Sequence, residues 1–85
     1  MDVFIVIGRG GPTERLLPIV AELRRLGVSA DIDYADRSIK GQLTYAQRLG
    51  ARAIVMYEGE ESVIRRPGAD DESVPTDELV ARLSR

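Results

Sequence analysis

The chain has 85 residues, 44% apolar and 31% charged, with a formal net charge of −2; this describes one globular domain over residues 1–85 and excludes disordered and collagen-like classes. It has no Cys and no His, which excludes a disulfide framework, a thiolate nucleophile, an imidazole base and a conventional zinc site, so no catalytic or metal residues are expected. The longest apolar run, Val3 to Ile7, is far short of the ~20 residues of a membrane-spanning helix, and no basic segment leads into an apolar one; a cytoplasmic address without a membrane partner is expected.

Asp2-Val-Phe-Ile-Val-Ile7 is β-branched and continuously apolar, and Gly8-Arg-Gly-Gly-Pro12 follows it. This is the pattern of a strand buried on both faces, as in a parallel sheet. Thr13 is the expected N-cap of a helix in which Leu16, Ile19, Val20, Leu23 and Leu26 recur at helical spacing and which Gly27 closes. Pro18 would remove a backbone bond from the interior of that helix, so an irregular turn is expected before the regular part. Val28, Ala30, Ile32 and Tyr34 alternate with Ser29, Asp31 and Asp33, which predicts an edge strand with one wet face. From Ser38, the apolar positions Ile39, Leu43, Ala46 and Leu49 return to helical spacing until Gly50, and Gly41 inside that helix costs about 1 kcal/mol against Ala. Ala51 to Tyr57 reads as a third, buried strand.

The run Arg-Leu-Gly-small occurs at 25–28 and again at 48–51, marking one kind of helix-to-strand turn used twice. Strand, helix, strand, helix and strand joined by short connections predict right-handed crossovers and a parallel βαβαβ core. Beyond Glu58, Ser62 to Arg66 and Ser73-Val74 read as short strands around a turn at 67–72. Thr76 is the expected cap of a last helix, with Asp77 and Glu78 in its first turn and Leu79, Val80 and Leu83 on its apolar face.

Charge is distributed unevenly. Residues 1–57 carry eight basic against six acidic side chains, net +2, and residues 58–85 carry four against eight, net −4. Gly8-x-Gly10 after a buried strand has the start of a dinucleotide fingerprint, but Thr13 occupies the place of its third glycine, so no cofactor is expected. Asp31, Asp33 and Asp36 are read as the solvated face of an edge strand rather than as metal ligands. More informative is Asp36-Arg37-Ser38-Ile39-Lys40-Gly41-Gln42-Leu43, which sets Arg37 and Lys40 beside a capping Ser38 at a helix N-terminus just past the end of a strand. Free N–H groups and the helix dipole favour phosphate there, and ligands of open α/β sheets gather at that edge. Arg9 and the backbone of Gly10 and Gly11 belong to the same edge, and Tyr34 and Tyr57, ending the second and third strands, offer rings for base stacking.

The succession Asp-Val-Phe-Ile-Val-Ile, Ala-Glu-Leu-Arg-Arg-Leu-Gly-Val, Asp-Arg-Ser-Ile-Lys-Gly-Gln-Leu, Ala-Gln-Arg-Leu-Gly-Ala-Arg-Ala-Ile-Val and Val-Pro-Thr-Asp-Glu-Leu-Val-Ala-Arg-Leu resembles the C-terminal anticodon-binding domain of class II aminoacyl-tRNA synthetases, most of all the histidyl type. The resemblance implies an α/β fold of three layers. Its mixed sheet of about five strands adds a short antiparallel excursion to the parallel core and is flanked by three helices. It also implies a noncatalytic role in gripping a tRNA anticodon arm, with Arg37, Ser38 and Lys40 at the positions that approach anticodon bases. Arg9 is assigned a rim contact and Tyr34 a stacking one. Two departures from the family stand out: segment 58–74 is shorter and more acidic than the usual hairpin, and Gly41 replaces a frequent second lysine. The expected partners are the tRNA anticodon arm and a synthetase catalytic domain or homodimer partner, the chain being excised from a synthetase or a free-standing relative. The alternative expectation is a protein-interaction or dimerisation module on the same fold.

Overall fold

Val3, Phe4, Ile5 and Val6 are all buried because the strand that carries them, β1 (Val3–Ile7), is covered on both faces. The computed structural model describes residues 1–8, 13–33 and 38–84. Among these, β1 is joined by β2 (Ala30–Ile32), β3 (Ala53–Tyr57), β4 (Glu61–Arg65) and β5 (Glu72–Pro75), and by the helices α1 (Leu16–Arg25), α2 (Ile39–Arg48) and α3 (Leu79–Leu83). The sheet order is β2-β1-β3-β4-β5. β1 pairs in parallel with β2 and β3, and the β3–β4 and β4–β5 pairs are antiparallel. The fold is thus the mixed, three-layer α/β sheet with a parallel core and an antiparallel excursion.

Alternation along the strands sorts the core into two layers. Val3, Ile5, Val55, Tyr57, Ile64 and Val74 face Leu16, Val20 and Leu23 of α1 and Leu79 and Leu83 of α3. Phe4, Val6 and Ile54 face Ala46 of α2, with Leu43 and Leu49 packed against them. Both edge strands are short, and β5 ends in Pro75, a residue with no N–H to offer a further strand.

The repeated Arg-Leu-Gly turn has one geometry in both copies. Gly27 and Gly50 have φ of 86° and 66°. Gly27 N–H donates to Arg24 O and Val28 N–H to Leu23 O, as Gly50 does to Gln47 O and Ala51 to Ala46 O. These paired bonds close the last carbonyls of each helix in a Schellman motif, which needs a left-handed residue at the glycine.

Several local expectations are corrected. Thr13 is not a helix cap: it opens a 3-10 turn, Thr13–Arg15, and α1 begins at Leu16 with no side-chain cap bond. Pro18 then falls at the third helical position, where an N–H would have no intrahelical partner in any case. Leu26 is the exposed C-cap of α1 rather than part of its buried face. β2 is an edge strand as its alternation indicates, but only three residues long, and Asp33, just past its end, is buried rather than solvated. Thr76 caps nothing; it starts a second 3-10 turn, Thr76–Glu78. Its buried hydroxyl donates to Gly59 O and lies 2.8 Å from Ser62 Oγ.

Candidate nucleic-acid interface

The parallel strands end together at one edge of the sheet, and α2 starts there. Ser38 caps it, its Oγ accepting the Gly41 N–H at 3.2 Å and its carbonyl the Gln42 N–H at 2.9 Å. Beside it, Gly8 N–H donates to Tyr57 O at 3.0 Å. A Cβ at Gly8 would lie 3.0 Å from that same carbonyl, so a side chain there would press on the end of β3.

β2 stops after pairing Ile32 with Ile5, and the β2-facing groups of Ile7 would be left open. Gln42 fills the gap: its Oε1 accepts the Ile7 N–H at 2.7 Å and its Nε2 donates to Ile7 O at 3.1 Å. The side chain, only 4% exposed, takes the place of the missing strand.

Along its outer side α2 presents Lys40, Thr44 and Arg48, all exposed, with Tyr45 next to them. Ser38, Lys40, Gly41, Thr44, Tyr45 and Arg48 line an open groove of about 530 Å³. The Tyr45 ring meets Phe4 edge-on, centroids 5.7 Å apart at 72°, which props an exposed aromatic against the core. Lys40 and Arg48 enter no ion pair among the described residues. Eight residues apart on one helix, they span about 12 Å along its axis.

The tail differs. Arg65 pairs with Asp71, Arg66 with Glu72, and Arg82 with Glu72 and Glu78. Arg15 bridges Glu60 at 2.9 Å and Asp77 at 2.8 Å, and hydrogen bonds to Asp77 first, then Glu60, push its guanidinium further toward the charged form. The bidentate Arg65–Asp71 contact holds the Asp71 carboxyl below its ordinary value. At the opposite end of the strands, Ser29 N–H donates to Asp2 Oδ2 and Asp2 N–H to Ser29 Oγ; the Ser29 bonds lower the Asp2 carboxyl in the same sense.

Of the predicted site residues, Ser38 and Lys40 come together at the start of α2. Arg9, Tyr34 and Arg37 lie outside the described residues, as do Gly10, Gly11 and Asp36. Tyr57 is fully buried, so it serves the core and has no ring face for a base. Thr44, Tyr45, Arg48 and Gln42 were not singled out from the sequence. The four- and eight-residue steps from Lys40 to Thr44 and Arg48, and from Gly41 to Tyr45, are the signal that would have found the groove.

Comparison with known proteins agrees with this architecture. The histidine–tRNA ligase of Syntrophomonas wolfei is 46% identical over 63 residues, 74% of this chain and 15% of the relative. That of Symbiobacterium thermophilum is 34% identical over 91 aligned positions, all of this chain and 21% of the relative. The chain therefore spans about a fifth or less of the curated ligases it matches. The crystal structure of apo S. aureus histidyl-tRNA synthetase superposes with a TM-score of 0.87 at 28% identity, covering 100% of this chain and 23% of that one. The RNA-binding domain of threonyl-tRNA synthetase from Cryptosporidium parvum shares the fold, with a TM-score of 0.77 at 18% identity over 98% of this chain and 22% of the other. The anticodon binding domain family matches residues 2–85, and the chain belongs to that family, in its histidyl-tRNA synthetase-like form.

Proposed function

We propose that this chain grips the anticodon arm of a tRNA, that of histidine being the first candidate because the relatives are histidine–tRNA ligases. The observation that carries the reading is the contrast in charge: every described cation of residues 58–84 is held in an ion pair. Lys40 and Arg48 instead flank a groove along α2 that includes the exposed Tyr45.

A single-stranded loop is the RNA form that suits such a groove. Its phosphates meet the two cations and its unstacked bases the ring. Ser38 and Lys40 act at the helix start, and Arg37, Arg9 and Tyr34 complete the edge in the roles the sequence assigns them. Residues 1–85 then work as one recognition unit beside a synthetase catalytic domain, whether in the same polypeptide or supplied separately, and a cytoplasmic location accords with that partner.

Titration of the chain with histidine tRNA across a salt series tests this. Saturable binding that weakens with salt, and weakens further in Arg37→Ala, is the expected result. Absence of saturable binding, or an affinity untouched by Arg37→Ala, refutes it.

A further inference from the structure

Gln42 stands in for a strand, and its place in α2 gives that substitution a consequence for recognition. The buried residues of α2 are Gln42 and Ala46. Ala46, with the partly buried Leu43 and Leu49, fixes the middle and end of the helix to Phe4, Val6 and Ile54. The first turn has no comparable apolar anchor, since Ile39 is 43% exposed. What ties that turn to the sheet is the pair of bonds from the Gln42 amide to Ile7 N–H and Ile7 O, 2.7 and 3.1 Å long. One residue beyond Ile7 is Gly8, whose N–H is bonded on the other side to Tyr57 O. The end of β1 is therefore held from both flanks, by β3 through Gly8 and by α2 through Gln42.

We propose that Gln42 is the positioning residue of the RNA edge: by bridging the end of β1 to the first turn of α2 it fixes where Ser38 and Lys40 stand relative to Gly8, without touching RNA itself. This rests on the anticodon reading above. The chemistry requires an amide of this length. A carboxylate at the same place lacks the donor for Ile7 O, an apolar side chain takes this partner from both part-buried Ile7 groups, and asparagine is one methylene too short to reach both.

Two variants of the full chain test it, Gln42→Met, which keeps length and volume, and Gln42→Asn, which stays polar if the first does not fold. In either, amide hydrogen exchange at Ile7 should quicken by about tenfold or more while Ile5 and Val55 in the same sheet keep their protection, the sign of a local rather than a global opening. The amide resonances of Ser38 and Lys40 should shift. At a temperature where the variant is fully folded, its affinity for a histidine tRNA transcript should fall by about tenfold, the size expected when two part-buried hydrogen bonds that orient a binding element are lost.

Equal acceleration at Ile7, Ile5 and Val55 with unchanged affinity of the folded variant would make Gln42 merely structural and overturn the proposal, as would an unchanged Ile7. If the unaltered chain itself fails to bind the transcript, the anticodon reading falls on its own. Ile7 exchange and the Ser38 and Lys40 shifts then still decide whether Gln42 positions this edge.

Discussion

Removing both groove cations should change how binding depends on salt in a calculable way. Lys40 and Arg48 both line the groove and stand about 12 Å apart along α2, enough for each to meet a different phosphate of one single strand. Each phosphate neutralised on a single strand contributes about 0.7 to the slope of log affinity against log salt. The double variant Lys40→Ala/Arg48→Ala should therefore bind with a slope shallower by about 1.4. Between 50 and 200 mM salt that difference amounts to roughly a sevenfold narrowing of the gap between the two proteins. Fluorescence anisotropy with a labelled histidine tRNA at four or five salt concentrations measures it. Arg65→Ala is the control, because its guanidinium is already occupied by Asp71, and its slope should match that of the unaltered chain. An unchanged slope in the double variant, or an equal change in the control, would refute the assignment of the groove as the phosphate path.

Thr76→Val should destabilise the fold by about 1–3 kcal/mol, since it strips Gly59 O and Ser62 Oγ of a buried partner; urea denaturation with the midpoint unmoved would contradict the network. Gly8→Ala should cost about 1–3 kcal/mol by forcing β1 away from Tyr57 O, 3.0 Å from the new methyl carbon, and thermal melting reads it. The Asp2 carboxyl, held below its usual value mainly by the Ser29 bonds, favours the folded state when ionised. Its contribution is complete at neutral pH and disappears as the pH falls below about 4. Asp2→Asn should accordingly melt lower than the unaltered chain at pH 7 and converge with it in acid; parallel curves down to pH 3 would exclude the linkage.

Periodicity made the parallel core legible because its determinants are local: unbroken apolar runs in β1 and β3, helical spacing in α1 and α2, and a glycine at each helix exit. The early turn forced by Pro18 was legible for the same reason. Thr13 was misread because a 3-10 turn, Thr13–Arg15, stands between it and α1, and Thr76 because a threonine before a helix looks the same whether its hydroxyl faces the helix end or the interior. In Thr76 the buried Gly59 carbonyl and Ser62 hydroxyl decide, and both lie far away in sequence. Tyr57 ended a strand at the correct edge, but its burial depends on α1 and α3 closing over that face, which no alternation pattern contains. Gln42 was unreadable for a related reason: a glutamine in a helix is ordinarily surface, and its role exists only because β2 stops short of Ile7. For the site, Ser38 and Lys40 were found from cap and charge alone, whereas Thr44, Tyr45 and Arg48 carry only the four- and eight-residue steps along α2 as their signal.

The net charge of −2 is a poor guide to the charge that α2 presents. Much of the acidity of residues 58–84 is placed within the fold: Glu60 and Asp77 clamp Arg15, and Asp71, Glu72 and Glu78 neutralise the cations of β4, its following turn and α3. Exposed pairs of this kind add little stability one by one, but each removes an anion and a cation from the surface field together. α2 packs over β1, and β5 is three strand spacings away in the sheet order, about 14 Å, beyond the Debye length of about 8 Å at physiological salt. A phosphate approaching the groove would meet Lys40, Arg48 and the N-terminus of α2 at a distance from the acids of β5, while Glu58, at the start of the acidic hairpin, stands beside Gly8 at the same edge.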